Sequence, residues 1–133
     1  MDAVRAILDT NILIGGSFMA PAGVTEIAVT SISYAELRFG IAAVSAEPEL
    51  RIERQLRLDA ITESFGEGLP FDDRAALSYG YITELVLGAD RSPRGRIPDL
   101  MIAAIALTHG ATLITRDYKD FAGLERVLNI VRL

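Results

Sequence analysis

The chain has no cysteine and no tryptophan, a single histidine, His109, and a single lysine, Lys119. Without cysteine it has no disulfide framework, no thiolate zinc site and no thiol catalysis, and a reducing compartment suits it. One histidine excludes a multi-histidine metal cluster. No apolar run approaches the roughly 20 residues of a spanning helix. The apolar stretch behind Met1 to Arg5 stops at Asp9, too short for a signal-peptide core, so a cytoplasmic protein is expected. Excess positive charge is also missing. The net charge is −5 and the pI about 4.8, so bulk charge does not recruit nucleic acid. There is no internal repeat, linker or low-complexity tract. Phosphate-loop, G-x-G-x-x-G, H-E-x-x-H and G-x-S-x-G motifs are all absent.

What remains is 133 residues, 50% hydrophobic and 23% charged, which excludes a disordered or collagen-like chain. The length fits one domain, residues 1–133, that buries roughly two-thirds of the surface it would expose unfolded. The other basic residues are all arginine, and genomic base composition explains that as readily as a demand for guanidinium groups.

Residues Val4 to Leu8 read as a buried strand ending at Asp9-Thr10-Asn11, and Ile12 to Ile14 as a short helix cut off by Gly15-Gly16. A second strand is predicted over Ile27 to Ile32. Ser33-Tyr34-Ala35-Glu36 has capping-box spacing and would open a helix to about Val44. Pro48 would start a third helix, to about Phe65. Leu69 to Phe71 is a short strand candidate, and Asp72 a cap for a helix to about Leu87. Gly88 to Arg96 reads as a loop. From Pro98 a helix apolar on all sides should be buried and closed by Gly110 as a left-handed cap. Ala111 to Thr115 and Val127 to Val131 complete the strands. This alternation predicts a three-layer α/β fold, a mainly parallel sheet flanked by helices.

In such sheets ligands bind beyond the carboxyl ends of the strands. Asp9 and Asp117 each follow a predicted strand. Glu36 and Asp99 each fall in the first turn of a predicted helix. If these elements share one edge, four carboxylates converge. Unpaired, they would repel one another and raise each other's pKa values. A divalent cation removes that conflict, and oxygen-only ligands favour Mg²⁺ or Mn²⁺. A coordinated water can then attack a phosphodiester. The lack of a histidine pair argues against a metal-free acid–base ribonuclease.

Each acid also has a plainer explanation. Asp9 and Asp117 suit turns, Glu36 a capping box, and Asp99 the positive end of a helix dipole. Those explanations do not predict a shared edge. Thr10, Asn11 and Thr115 adjoin the acids and could orient them or a metal-bound water, although turn hydrogen bonding accounts for them equally. Asp120 reads as a turn cap with a minor supporting role at most. His109 suits a helix C-terminus. Tyr34, Tyr79, Tyr81 and Tyr118 suit core or rim. Arg94, Arg96 and Arg116 could grip RNA phosphates, and Arg91 fits a solvated loop better.

Four segments carry a family resemblance. Ile7-Leu8-Asp9-Thr10-Asn11 resembles the opening of PIN-domain nucleases, and Glu36-Leu37-Arg38-Phe39-Gly40 their E-L-x-x-G segment. Asp99-Leu100-Met101-Ile102-Ala103-Ala104 is similar to their D-x-x-I-A-A helix. Thr115-Arg116-Asp117-Tyr118-Lys119-Asp120-Phe121 resembles their closing T-R-[DN]-x-x-D-F. The compact length looks most like the VapC toxins of type II toxin–antitoxin pairs. That resemblance implies a Mg²⁺- or Mn²⁺-dependent endoribonuclease, a homodimer held in check by a VapB-type antitoxin. It also implies an acidic site of Asp9, Glu36, Asp99 and Asp117. The expected reaction is cleavage of a structured cellular RNA, tRNA or rRNA. The rivals are a housekeeping RNA-processing PIN nuclease and a catalytically inactive PIN module that binds RNA or a partner. A phospho-acceptor receiver domain is disfavoured, because the paired N-terminal acids and mid-chain acceptor aspartate are missing.

Overall fold

In the computed structural model, residues 4–89 and 94–133 are described. Four parallel strands form one sheet in the order β2-β1-β3-β4: β1 Val4–Leu8, β2 Val24–Ala28, β3 Thr112–Thr115 and β4 Ile130–Arg132. The helices are α1 Thr10–Ile14, α2 Ser31–Ala42, α3 Pro48–Phe65, α4 Asp73–Gly88 and α5 Ile97–Thr108, with a 3₁₀ turn at Tyr118–Phe121.

Parallel strands are covered on both faces, and the side-chain alternation of β1 divides the core. Ile7 of β1 and Leu113 of β3 face α4 and α5, joining Ile82, Val86, Leu100 and Ile105. Ala6, Leu8 and Ile114 face the other way, onto Ile12 and Leu13 of α1 and Ile61 of α3. This is the predicted three-layer α/β architecture. The apolar α5 sits in the centre, with Leu100 and Ala103 to Ala106 fully buried. Truncating Leu100 to alanine would cost about 2–5 kcal/mol.

Local chemistry sets the element ends. Asp72 caps α4 by accepting the Ala75 N–H at 2.9 Å. Pro98 lies in the first turn of α5, where its missing N–H costs nothing. Gly110 follows the end of α5 with φ +60°, the left-handed cap expected of it.

Three expectations shift. The second strand ends at Ala28, because its register pairs Val24 to Ala28 with β1. Thr30 then leaves the sheet to cap α2, its hydroxyl accepting the Ser33 N–H at 3.1 Å. The apolar run Ile27 to Ile32 therefore spans the end of a strand and the start of a helix. In consequence Ser33 is not a helix cap, and Glu36 belongs to the second turn rather than to a capping box. Leu69 to Phe71 forms no strand. Leu69 makes an isolated parallel bridge to Thr30, and Pro70 has no N–H to extend it. The last strand begins at Ile130, since Val127 and Leu128 turn back to bond the Leu124 carbonyl.

Candidate active site

The chain runs from β1 outward to β2, then crosses back to β3 on the far side of β1. The connections thus diverge between β1 and β3, and a crevice opens at the carboxyl ends of those two strands. Asp9 leaves β1 there. Its N–H still bonds the Ile114 carbonyl at 2.9 Å, continuing the ladder, while its side chain caps the short α1.

Asp9 is only 2% exposed. Its Oδ1 accepts the Thr10 N–H at 2.9 Å and its Oδ2 accepts the Thr115 hydroxyl at 2.8 Å. Burial pushes its pKa up to about 6; the two hydrogen bonds oppose that rise, and Glu36 and Asp120 add to it. Asp99, in the first turn of α5, is pushed up to about 7, first by burial and then by the negative charges of Asp9, Asp120, Glu36 and Asp117.

The remaining predicted residues join the same crevice. The Thr10 hydroxyl donates to Oε1 of Glu36 at 2.7 Å and lies 2.8 Å from the Ser33 hydroxyl. The Thr115 hydroxyl, besides donating to Asp9, accepts from Asn11 Nδ2 at 3.3 Å and from the Asp117 N–H at 3.0 Å. The Arg116 N–H donates to Asn11 Oδ1 at 3.1 Å. Thr10, Asn11 and Thr115 therefore do more than form turns: Asn11 and Thr115 tie the ends of β1 and β3 together around Asp9, and Thr10 ties α1 to α2. Asp117 is exposed at the mouth.

Two further residues belong to the crevice. Asp120 acts on both Asp9 and Asp99, so it belongs to the acidic cluster. The available signal was its spacing, three residues beyond Asp117, which a 3₁₀ turn brings round to one side. Ser33 is fully buried against Thr10. Its S-x-x-E spacing, read as a capping box, instead sets Ser33 and Glu36 on one helix face.

The arginines divide. Arg96 donates to the Asp120 carbonyl at 2.7 Å, fastening the start of α5 to the 3₁₀ turn. Arg94 and Arg116 are exposed. Arg91 lies outside the described residues. His109 caps the end of α5 and lines a cavity of about 420 Å³ with Arg5, Ile7, Glu26 and Leu69, which contains none of the acids above. The Tyr34 hydroxyl donates to the Gly66 carbonyl, and Tyr79 packs edge-on against Phe71.

The donor set suits a hard cation in a particular way. Among the described residues, no group of three or more Asp, Glu or His side chains could hold an ion by itself. Mg²⁺ ordinarily uses one or two carboxylates and retains water. Asp9 and Asp99, both oxygen ligands and both disfavoured as bare anions by burial and neighbouring acids, fit that habit.

Known proteins resemble this chain in sequence and fold. The sequence profile of the PIN domain matches residues 6–127. Ribonuclease VapC5 of Mycobacterium tuberculosis is 33% identical over 128 residues, covering 93% of this chain and 90% of that protein. VapC ribonuclease Y4jK of Sinorhizobium fredii is 37% identical over 103 residues, covering 73% and 70%. The crystal structure of a VapBC toxin–antitoxin family member, VapBC-5 from Mycobacterium tuberculosis, superposes with a TM-score of 0.81 at 32% identity, covering 98% of this chain and 99% of that one. The fold is thus that of a PIN domain. The chain belongs to the PIN-domain family, among the VapC ribonuclease toxins of VapBC toxin–antitoxin systems. Among the described residues no helix is long and apolar enough to cross a membrane.

Proposed function

We propose that this protein is a Mg²⁺- or Mn²⁺-dependent endoribonuclease that hydrolyses a phosphodiester bond in a structured cellular RNA, tRNA or rRNA, and is restrained by a VapB-type antitoxin. The observation that carries the reading is the pair Asp9 and Asp99. They come from distant parts of the chain, and the proton affinity of Asp99 is raised first by burial and then by the charges of Asp9, Asp120, Glu36 and Asp117. Once ionised, such a crevice destabilises the fold, and a bound cation would offset that cost.

Asp9 and Asp99 would hold the ion, with Glu36 and Asp117 completing the site directly or through water. When bound, the ion neutralises charge developing on the phosphate and acidifies a coordinated water. The protein's own contribution is orientation. Thr115 and the Thr10 N–H fix one oxygen each of Asp9, which would orient the carboxylate toward a cation. Arg94 and Arg116, both exposed, would meet RNA phosphates, with Arg96 beside them bonding the Asp120 carbonyl. With a net charge of −5, affinity for RNA rests on these local cations, the bound ion and a second subunit.

A surface for the antitoxin adjoins the acids. Ile32, Ala35, Phe39, Pro98 and Met101 line a groove of about 370 Å³ that Glu36 also borders. Phe39 is 76% exposed, an unusual position for a large aromatic side chain unless a partner covers it. A homodimer belongs to the same reading. Ile52 and Leu56, one turn apart on α3, and Leu77 and Tyr81 on α4 are exposed apolar residues that can supply its interface.

Purified protein should cut RNA with Mg²⁺ or Mn²⁺, stop when the ion is chelated, and lose cutting in Asp9→Ala. Cleavage indifferent to both treatments overturns the mechanism. Induced expression should arrest growth, and co-expression of a cognate antitoxin should relieve the arrest. Cleavage without arrest would favour a housekeeping nuclease, and RNA binding without turnover an inactive module.

A further inference from the structure

We infer that Ser33 is a positioning residue for Glu36, acting through the hydroxyl of Thr10 in a one-directional relay; this rests on the proposed metal-dependent reading. The direction follows from counting hydrogens. A hydroxyl has one to give. Thr10 gives its own to Glu36 Oε1 at 2.7 Å. At the 2.8 Å contact between Thr10 and Ser33 the hydrogen must therefore come from Ser33. The relay runs Ser33 to Thr10 to Glu36.

Ser33 has no other evident task. Its side chain is fully buried, it does not cap α2, and its backbone N–H is satisfied by Thr30. What the hydroxyl adds is a donor that occupies one acceptor site of Thr10, turns the Thr10 hydrogen toward Glu36 and strengthens that bond by polarisation. Ser33 and Glu36 lie three residues apart on one face of α2, so a single threonine on α1 reaches both. The acid of α2 is thereby fixed relative to the element that begins at Asp9.

Mn²⁺ affinity, measured by titration calorimetry on the full chain, tests this without relying on turnover. Ser33→Ala should weaken Mn²⁺ binding by about 10-fold, the scale seen when a residue orienting a metal ligand is removed. RNA cleavage should show a lower kcat with KM for RNA unchanged. In a Glu36→Gln background the same substitution should have no further effect, because its route runs through Glu36. Ser33→Cys, nearly isosteric and a weak donor, should reproduce the loss and serves if the alanine variant folds poorly. Wild-type Mn²⁺ affinity in both Ser33 variants overturns the inference, as does a loss of equal size in the wild-type and Glu36→Gln backgrounds. Failure of the wild-type protein to take up Mn²⁺, or uptake unaltered by Asp9→Ala, instead overturns the metal-dependent reading, and the positioning role with it.

Discussion

Asp9 and Thr115 lie 106 residues apart in sequence and are joined by a 2.8 Å hydrogen bond across the ends of two adjacent strands. The Thr115 hydroxyl is fully used: it donates to Asp9 and accepts from Asn11 and from the Asp117 N–H. Thr115→Val keeps the shape of the side chain but removes all three bonds. Two donors then lose their acceptor in a partly buried setting, a loss of about 1–3 kcal/mol in stability. Asp9 loses a bond that lowers its pKa, so its pKa should rise above about 6. Chemical denaturation and NMR titration of the variant measure the two effects.

Asp9 and Asp99 bind protons more tightly in the fold, near pH 6 and pH 7, than at their ordinary value of 3.8. Between those values the folded chain holds more protons than the unfolded chain. Protonation therefore stabilises the fold, and that stabilisation is lost as pH rises through about 6 to 7. The ion-free protein should have a higher Tm at pH 5 than at pH 8, as far as these two groups decide it. Mg²⁺ or Mn²⁺ should restore the Tm at pH 8. Asp99→Asn should flatten the dependence and raise the ion-free Tm at pH 8, where scanning calorimetry reads it.

Gly15 ends α1 directly beneath Arg116. A Cβ there would stand 2.8 Å from the guanidinium Nε and 3.2 Å from the Asn11 carbonyl. Gly15→Ala should push the Arg116 head group aside while leaving the acids in place. If Arg116 grips a phosphate, Arg116→Ala should weaken RNA binding and reduce the slope of log affinity against log salt by about 1. Gly15→Ala should weaken binding in the same direction and add little to Arg116→Ala. Binding to catalytically inactive Asp9→Ala protein over a salt series gives both results.

Much of this molecule is written in local signals. Val4 to Leu8 is an apolar run closed by Asp-Thr-Asn, and Pro48 and Pro98 mark helix starts that the structure reproduces. The approximate convergence of Asp9, Glu36, Asp99 and Asp117 follows once the strands are parallel, since the carboxyl ends of the strands and the amino ends of α2 and α5 then lie at one edge. Other features depend on tertiary partners that composition does not reveal. The end of β2 is set by its register with β1, and Thr30, rather than Ser33, proved to be the cap of α2. Ser33 could not be distinguished from a capping serine until Thr10 was found opposite it. Asp120 looked like a turn residue because its influence on Asp9 and Asp99 depends on the 3₁₀ turn carrying it inward.

The central claim is that Asp9 and Asp99 share a cation. Anomalous diffraction from crystals soaked in Mn²⁺ tests it most directly. The account predicts a peak between the two carboxylates, at about 2 Å from an oxygen of each. A protein that cleaves RNA while its crevice shows no such peak at saturating Mn²⁺ would contradict it.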